Sequence, residues 1–220
     1  MEFLTAFIDI VLHLDAHLAT LFAAYGVWIY GILFLIIFCE TGLVVMPFLP
    51  GDSLLFVAGA LVASTNTLDI KLLIALLTMA AILGDNVNYW IGRTIGARAL
   101  QWEQSRFFNR AAFNKTHDYF EKHGGKTIII ARFLPLLRTF APFVAGVANM
   151  AYTRYFLLDL LGGVLWIGSL TMAGYWFGNI PFIKQNLTLV ILVIIGISLL
   201  PITFGYLAHR KQQRAIYPRV

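Results

Sequence analysis

Residues 127–150 read TIIIARFLPLLRTFAPFVAGVANM, an apolar stretch long enough to cross a bilayer but interrupted by Pro135 and Pro142. Proline inside a helix removes a backbone hydrogen bond and clashes with the preceding turn. The stretch also carries Arg132 and Arg138, and charged side chains are costly at the centre of a membrane helix. The sequence therefore predicts a re-entrant helical hairpin here, in place of a straight spanning helix.

An earlier part of the chain resembles this hairpin. The string FLP occurs at 48–50 and 133–135, FVAG at 56–59 and 143–146, and YWIG at 89–92 is matched by YWFG at 175–178. Three matches at nearly one offset, 85 to 87 positions, predict an internal repeat. Each unit is a hairpin, at about 47–66 and 127–150, followed by one crossing. The second unit must then begin on the opposite face of the membrane, so the repeats are inverted.

Further apolar segments surround the hairpins. Four are of the length that a spanning helix needs, about 20 residues: Val27 to Met46, Leu72 to Ile91, Tyr155 to Phe177 and Leu187 to Tyr206. The expected fold class is an all-α integral membrane protein, with a transmembrane domain over residues 25–208. It combines the inverted repeat of hairpin and crossing with flanking transmembrane helices.

Charge outside the apolar segments predicts the orientation. Residues 93–126 carry seven bases against three acids, and the tail 209–220 is also basic. Such an excess of Lys and Arg marks the cytoplasmic side. Within the 93–126 loop Asn109 can cap a short amphipathic helix that ends at Gly124 and Gly125. In residues 1–24 the polar side chains share one helical face, which predicts an N-terminal amphipathic helix in the membrane interface. Counting the crossings then places both termini and the 93–126 loop in the cytoplasm.

The composition excludes several classes of protein. Of the 220 residues, 60% are apolar and 12% charged, and the mean hydropathy is +0.79, whereas a soluble domain carries roughly 25% charged residues. The net charge of +5 lies in patches between apolar runs, so nucleic acid is not an expected partner. The single Cys39 excludes an internal disulfide. Hydrolase, zinc-protease, P-loop and dinucleotide motifs are all missing from the sequence, so we expect no enzymatic activity, cofactor or metal site.

Four charges lie within the apolar segments: Glu40, Asp52, Arg132 and Arg138. Each Arg or Asp at a helix centre costs ~2.5–3.5 kcal/mol on insertion scales, so these side chains should pair or face a water-filled cavity. Asp52 follows Pro50 and Arg138 follows Pro135, which places opposite charges at comparable turns of the two hairpins. The four charges sum to zero.

Two interpretations of these charges are open. In one, they form a structural ion-pair network. In the other, Arg132 and Arg138 bind a phosphate bidentately while Glu40 or Asp52 takes up a proton when the site loads. The predicted supporting residues are Pro50, Gly51, Ser53, Asp85, Pro135 and Thr139. Asp85, with Asn86 and Asn88, either extends a proton path or forms a satisfied polar cluster.

The run ETGLVVMPFLPGDSLLFVAGAL from Glu40, followed by GDNVNYWIGR and HGGKTIIIARFLPLLRTFAPFVAG, resembles the DedA family of bacterial inner-membrane proteins. The resemblance covers nearly the whole chain and implies the fold of the VTT (SNARE-associated) proteins, with two facing re-entrant hairpins. It transfers the family's essential acids to Glu40 and Asp52, and its essential arginines to Arg132 and Arg138. Ile128 departs from the family pattern, which often has an aromatic residue there.

The resemblance implies a flippase that returns undecaprenyl phosphate across the bacterial inner membrane for cell-envelope synthesis, driven by the proton gradient. Its partners would be this lipid, protons and the surrounding membrane lipids, and a homo-oligomer is left open. The alternatives are a less selective phospholipid (phosphatidylethanolamine) scramblase, a proton-coupled small-cation or drug antiporter, and a structural membrane factor without transport activity.

Overall fold

A computed structural model describes residues 20–21, 24–42, 51–65, 68–95, 110–178, 180, 181, 183, 189, 190, 192–194 and 196. These residues form helices and turns, with no strand among them, in agreement with the expected all-α class. The main helices are α1 (Ile29–Gly42), α2 (Gly51–Thr65), α3 (Ile70–Ile95), α4 (Arg110–His123), α5 (Lys126–Ala131), α6 (Pro135–Val147) and α7 (Tyr152–Phe177).

The two long helices α3 and α7 are each apolar enough to cross a membrane. Each has 26 residues, which at ~1.5 Å per residue is about 39 Å, compared with a hydrocarbon core of ~30 Å. Both begin a few residues earlier than the apolar pattern indicates because polar residues extend them. At the start of α3, the Asp69 carboxylate accepts hydrogen bonds from the backbone N–H groups of Lys71 and Leu72.

The segment α5–α6 turns back on itself. Residues 132–134 form a turn, and α6 begins at Pro135. Proline suits the first position of a helix because the backbone N–H there has no partner within the helix. A Cβ built at Gly125, just before α5, would lie 3.2 Å from Cε of Met150, just after α6. Both ends of the segment therefore lie at the same end of the helix bundle, although its path relative to a bilayer stays a prediction.

Pro142 does not break the chain as the sequence predicts, because it lies inside the continuous helix α6. Prolines are tolerated in membrane helices where neighbouring groups satisfy the freed backbone atoms. Pro142 has no N–H to donate to the carbonyl of Arg138 four residues earlier. Only Pro135 therefore marks a helix boundary in this stretch.

The helices of the two predicted repeat units are packed reciprocally: α2 packs on α7, and α6 packs on α3. In α2, Gly59 lies directly against the backbone carbonyl of Thr171 in α7. In α6, Gly146 lies directly against the carbonyl of Tyr89 in α3. These two glycines end the two FVAG strings, so the repeated motif is used for the same purpose twice: it lets helix backbones approach closely.

The remaining expectations concern the periphery. Helix α4 is the short amphipathic helix predicted within the basic loop, and it ends before Gly124, whose φ of +60° suits a helix terminus. The described part of the first predicted crossing is α1, with a 3₁₀ turn before it. The rest of that crossing, the start of the first hairpin, the amphipathic helix at 1–24 and the tail 209–220 lie wholly or mostly outside the described residues, as does most of the last crossing.

Candidate functional site: two buried charge centres

Arg138 forms the first charge centre, which we call the Arg138 centre, with Glu40 and Asp52. Its Nη2 lies 2.5 Å from Oε1 of Glu40, and its Nη1 lies 2.8 Å from Oδ1 of Asp52. Arg138 is in the first turn of α6 and Asp52 in the first turn of α2, so the N-termini of both helices meet here. Asp52 and Arg138 are 86 positions apart. This separation equals the repeat offset, so the pair joins equivalent turns of the two units.

Trp166 of α7 completes the Arg138 centre. Its Nε1 donates a hydrogen bond of 2.9 Å to Oδ1 of Asp52, and the guanidinium carbon of Arg138 lies 4.4 Å from the centroid of a Trp166 ring. The ring face attracts the cation and the N–H binds the anion. The indole therefore orients both members of the ion pair.

Gly51 is required by the close packing of the same centre. A Cβ at this position would overlap both carboxylate oxygens of Glu40. Glycine thus lets the first turn of α2 lie directly against the acid.

Arg132 forms a second centre, the Arg132 centre, with two acids on the long helices. Its Nη2 contacts Oδ2 of Asp85 in α3 and lies 2.6 Å from Oδ1 of Asp159 in α7. All three side chains are almost fully buried. Gly162 and Gly163 of α7 make room for the arginine, since Cβ atoms there would lie 3.0 Å from its Cδ and 3.4 Å from its Nη1.

The structure thus distributes the predicted residues over two centres. Glu40 and Asp52 both bond Arg138, whereas Arg132 bonds neither of them among the contacts of the described residues. The two arginines face four acids, so the expected balance of two against two is wrong. The two additional acids are Asp85 and Asp159, which form ion pairs with Arg132.

Asp159 and Trp166 were missed as site residues. Asp159 near the start of a crossing helix is equally suited to a favourable interaction with the helix dipole. The sequence feature that could have indicated Asp159 was Arg132, because a charge within an apolar segment needs a buried counter-ion. Nothing in the local sequence distinguishes Trp166 from a packing or interface tryptophan.

The supporting residues have mixed positions. Gly51, Ser53 and Thr139 adjoin members of the Arg138 centre in the sequence, and Ser53 and Thr139 are buried. Pro135 starts α6 and so sets the turn between the two arginines.

Asp85 belongs to the Arg132 centre, while its neighbours Asn86 and Asn88 donate to backbone carbonyls of Ile82 and Thr41. Pro50 lies outside the described residues.

Comparison with known proteins identifies close relatives. The family model of the VTT domain matches residues 49–176. Protein DedA of Escherichia coli strain K12 is 52% identical over 96% of this chain and 97% of its own length. An uncharacterized membrane protein of Mycobacterium leprae is 48% identical over 81% and 80%, and inner membrane protein YghB of Escherichia coli K12 is 35% identical over 78% and 79%. No solved structure matches the chain.

Proposed function

Because the chain belongs to the DedA family of membrane proteins with a VTT domain, we propose that it is a proton-coupled transporter of undecaprenyl phosphate across the bacterial inner membrane. The proposed location follows its relatives, of which YghB and YqjA are named inner membrane proteins. No chemical reaction of the lipid is part of the proposal, so the protein would not be an enzyme.

The observation that carries the proposal is that both terminal nitrogens of Arg138 bind carboxylate oxygens. Two oxygens from two different acids lie on its two terminal nitrogens at 2.5 and 2.8 Å. Two oxygens of one phosphate can occupy the same positions, since a guanidinium binds phosphate bidentately. Glu40 and Asp52 therefore act as counter-ions that a lipid headgroup would displace.

Protonation supplies the coupling. A protonated carboxyl group no longer holds the guanidinium as an ion pair, so proton uptake by Glu40 or Asp52 would make Arg138 available to the anionic headgroup. Asp52 is 20% exposed whereas Glu40 is 3% exposed. We therefore expect an incoming headgroup to reach Asp52 before Glu40.

Helix geometry favours an anion at the same place. The N-termini of α2 and α6 meet at the Arg138 centre, and helix N-termini carry partial positive charge. Half-helix ends of this kind, in corresponding positions of inverted repeats, are typical of transporter binding sites near the membrane midplane. The reciprocal packing of α2 on α7 and α6 on α3 supports such a repeat.

The test is a flux measurement in liposomes that contain undecaprenyl phosphate, with and without an imposed pH gradient. Wild type is compared with Glu40→Gln and Arg138→Ala, and with Lys71→Gln as the control, because Lys71 is exposed at the start of α3. Gradient-stimulated flux that is lost in both site variants and kept in the control supports the proposal.

Other outcomes favour the alternatives. Flux of phosphatidylethanolamine that ignores the gradient indicates a scramblase. Movement of protons against small cations or drugs, without lipid flux, indicates an antiporter. A structural factor moves neither, and exchange of the ion pair in the double variant Asp52→Arg/Arg138→Asp would then restore the stability lost in each single variant.

A further inference from the structure

The Arg132 centre carries a net negative charge although its side chains are buried. Two carboxylates and one guanidinium give a formal charge of −1. The exposed fractions are 2% for Asp85, 1% for Asp159 and 3% for Arg132. A net charge held away from water is strongly unfavourable, so buried groups of this kind neutralise by binding a proton or a cation.

Polar atoms without partners surround the two acids. Oδ1 of Asp85, Oδ2 of Asp159 and the hydroxyl of Tyr155 are buried and have no hydrogen-bond partner within the described part of the chain. Tyr155 is one helical turn before Asp159 and interacts electrostatically with both acids. A buried carboxylate oxygen without a donor is unfavourable, and a proton on one carboxyl group makes that group a donor to the other.

The two carboxyl groups are also close to each other. Both bond Nη2 of Arg132, so the oxygen atoms that bind this nitrogen approach one another. Two carboxyl groups can hydrogen-bond only if one of them carries a proton. This is the arrangement in which two acids share one proton.

The charged and titratable groups that face the pair come from three elements. Arg132 lies in the turn between α5 and α6, and Arg138 interacts with Asp85 from α6. Tyr155 lies on α7. Arg138 is itself paired with Glu40 and Asp52, so Arg132 is the one base bonded directly to Asp85 and Asp159 among the described residues.

We propose that Asp85 and Asp159 share one proton on Arg132 and form a proton-binding site separate from the Arg138 centre. The proton bridges the two carboxyl groups, and its loss leaves both as carboxylates on the guanidinium. In transport, which rests on the proposed function, this site binds a further proton besides the one that Glu40 or Asp52 takes up when Arg138 binds the headgroup. Proton binding at the pair does not itself depend on which cargo is moved.

Infrared difference spectroscopy over a pH titration tests proton binding directly. Protein labelled with ¹³C in the aspartate side-chain carboxyl groups should show a protonated-carboxyl band that shifts with the label. Compared in an Asp52→Asn background, which removes any signal of a protonated Asp52, either Asp85→Asn or Asp159→Asn should remove this band completely, because one carboxylate paired with Arg132 is neutral and needs no proton. Asp69→Asn should retain it, since Asp69 is exposed at the start of α3.

Two results overturn the inference. One is the absence of a protonated-aspartate band from the wild-type protein at every pH at which it is folded. This measurement does not depend on the folding of any variant. The other is a band that survives in both Asp85→Asn and Asp159→Asn, since the proton would then belong to another group.

A flux experiment tests the role in coupling. The ratio of lipid flux with and without a pH gradient should fall below the wild-type value in Asp85→Asn and Asp159→Asn and stay at the wild-type value in Asp69→Asn. An unchanged ratio in both variants overturns the coupling role while leaving the proposed function intact. If wild type moves no lipid, the proposed function fails, and the infrared band alone decides whether the proton site exists.

Discussion

Arg138 is bound by three side chains: two carboxylates that accept hydrogen bonds from its terminal nitrogens, and an indole whose ring centroid lies 4.4 Å from its guanidinium carbon. Lysine keeps the charge but has neither the planar fork nor the stacking surface. Arg138→Lys should therefore weaken binding of a phosphate headgroup roughly 10-fold or more, since a hydrogen bond to a charged group contributes ~1.5–3 kcal/mol.

This prediction is checked by titrating a soluble short-chain polyprenyl phosphate against purified wild type and Arg138→Lys. Both proteins should have the same thermal stability to within a few degrees. Equal affinity of the two would show that a point charge suffices, and would argue against bidentate binding.

Gly51 offers a second test at the same scale. In Gly51→Ala the added Cβ overlaps the Glu40 carboxylate, so the acid must move away from Arg138. We expect a loss of flux together with destabilisation of about 1–3 kcal/mol, as for other overpacked positions. Gly31→Ala is the matched control, because nothing lies within 4 Å of a Cβ there. Comparable flux in the two variants would contradict the close contact.

The charged residues of the Arg138 centre could be predicted because each lies in an apolar segment, and because the repeat relates Asp52 to Arg138. The Arg132 centre was predicted in part: Arg132 and Asp85 were candidate site residues, but Asp159 was not. Its acids lie on α3 and α7, far apart in sequence and outside the repeat pattern, so only the packing of these helices brings them together. Trp166 was not predictable for the same reason.

At the scale of helices, the glycine contacts fix which elements pair. In Gly59→Ala the new Cβ would overlap the carbonyl of Thr171, so α2 and α7 must separate. We expect a cost of about 1–3 kcal/mol. Gly168→Ala, also a helical glycine but with open space around its Cβ, should cost nothing.

Thermal unfolding in detergent, followed by loss of monodisperse protein, measures this difference. Gly146→Ala should behave like Gly59→Ala, because it meets the carbonyl of Tyr89 in the same way. If Gly168→Ala destabilises as much as either, the interhelical contact is not the cause, since alanine has a higher helix propensity than glycine.

Helix positions were predictable to within a few residues where apolar length and proline coincide. Helix α6 begins at the predicted proline, and α4 ends at the predicted glycine pair. Both ends of α3 and the start of α7 extend beyond the predicted bounds, because polar residues continue a helix past the apolar core, whereas α7 ends at Phe177 as predicted. Pro142 was misread because the penalty for an internal proline depends on neighbours that the local sequence does not specify.

At the scale of the whole molecule, α3 and α7 present exposed apolar side chains outward, among them Met79, Leu83, Leu161 and Leu165. A membrane protein should tolerate no charge at such a site near the centre of a helix, where Arg costs ~2.5–3.5 kcal/mol. Leu165→Arg should therefore reduce the amount of folded protein in the membrane. Thr153→Arg, exposed at the start of the same helix, should not.

Quantitative membrane fractionation of the two variants gives the answer. Equal accumulation would mean that residue 165 faces protein or water, and that α7 is oriented differently in the bilayer.

Reciprocal packing also determines the order in which helices can pack during synthesis. Helix α2 ends at Thr65, whereas its partner α7 begins at Tyr152, so the ribosome must add about 90 residues before the two can meet. At ~5–20 residues per second this delay is roughly 5–20 s. Asp52 lacks Arg138 through most of that interval and Trp166 through all of it. The first repeat unit therefore cannot complete its packing until α7 has been synthesised.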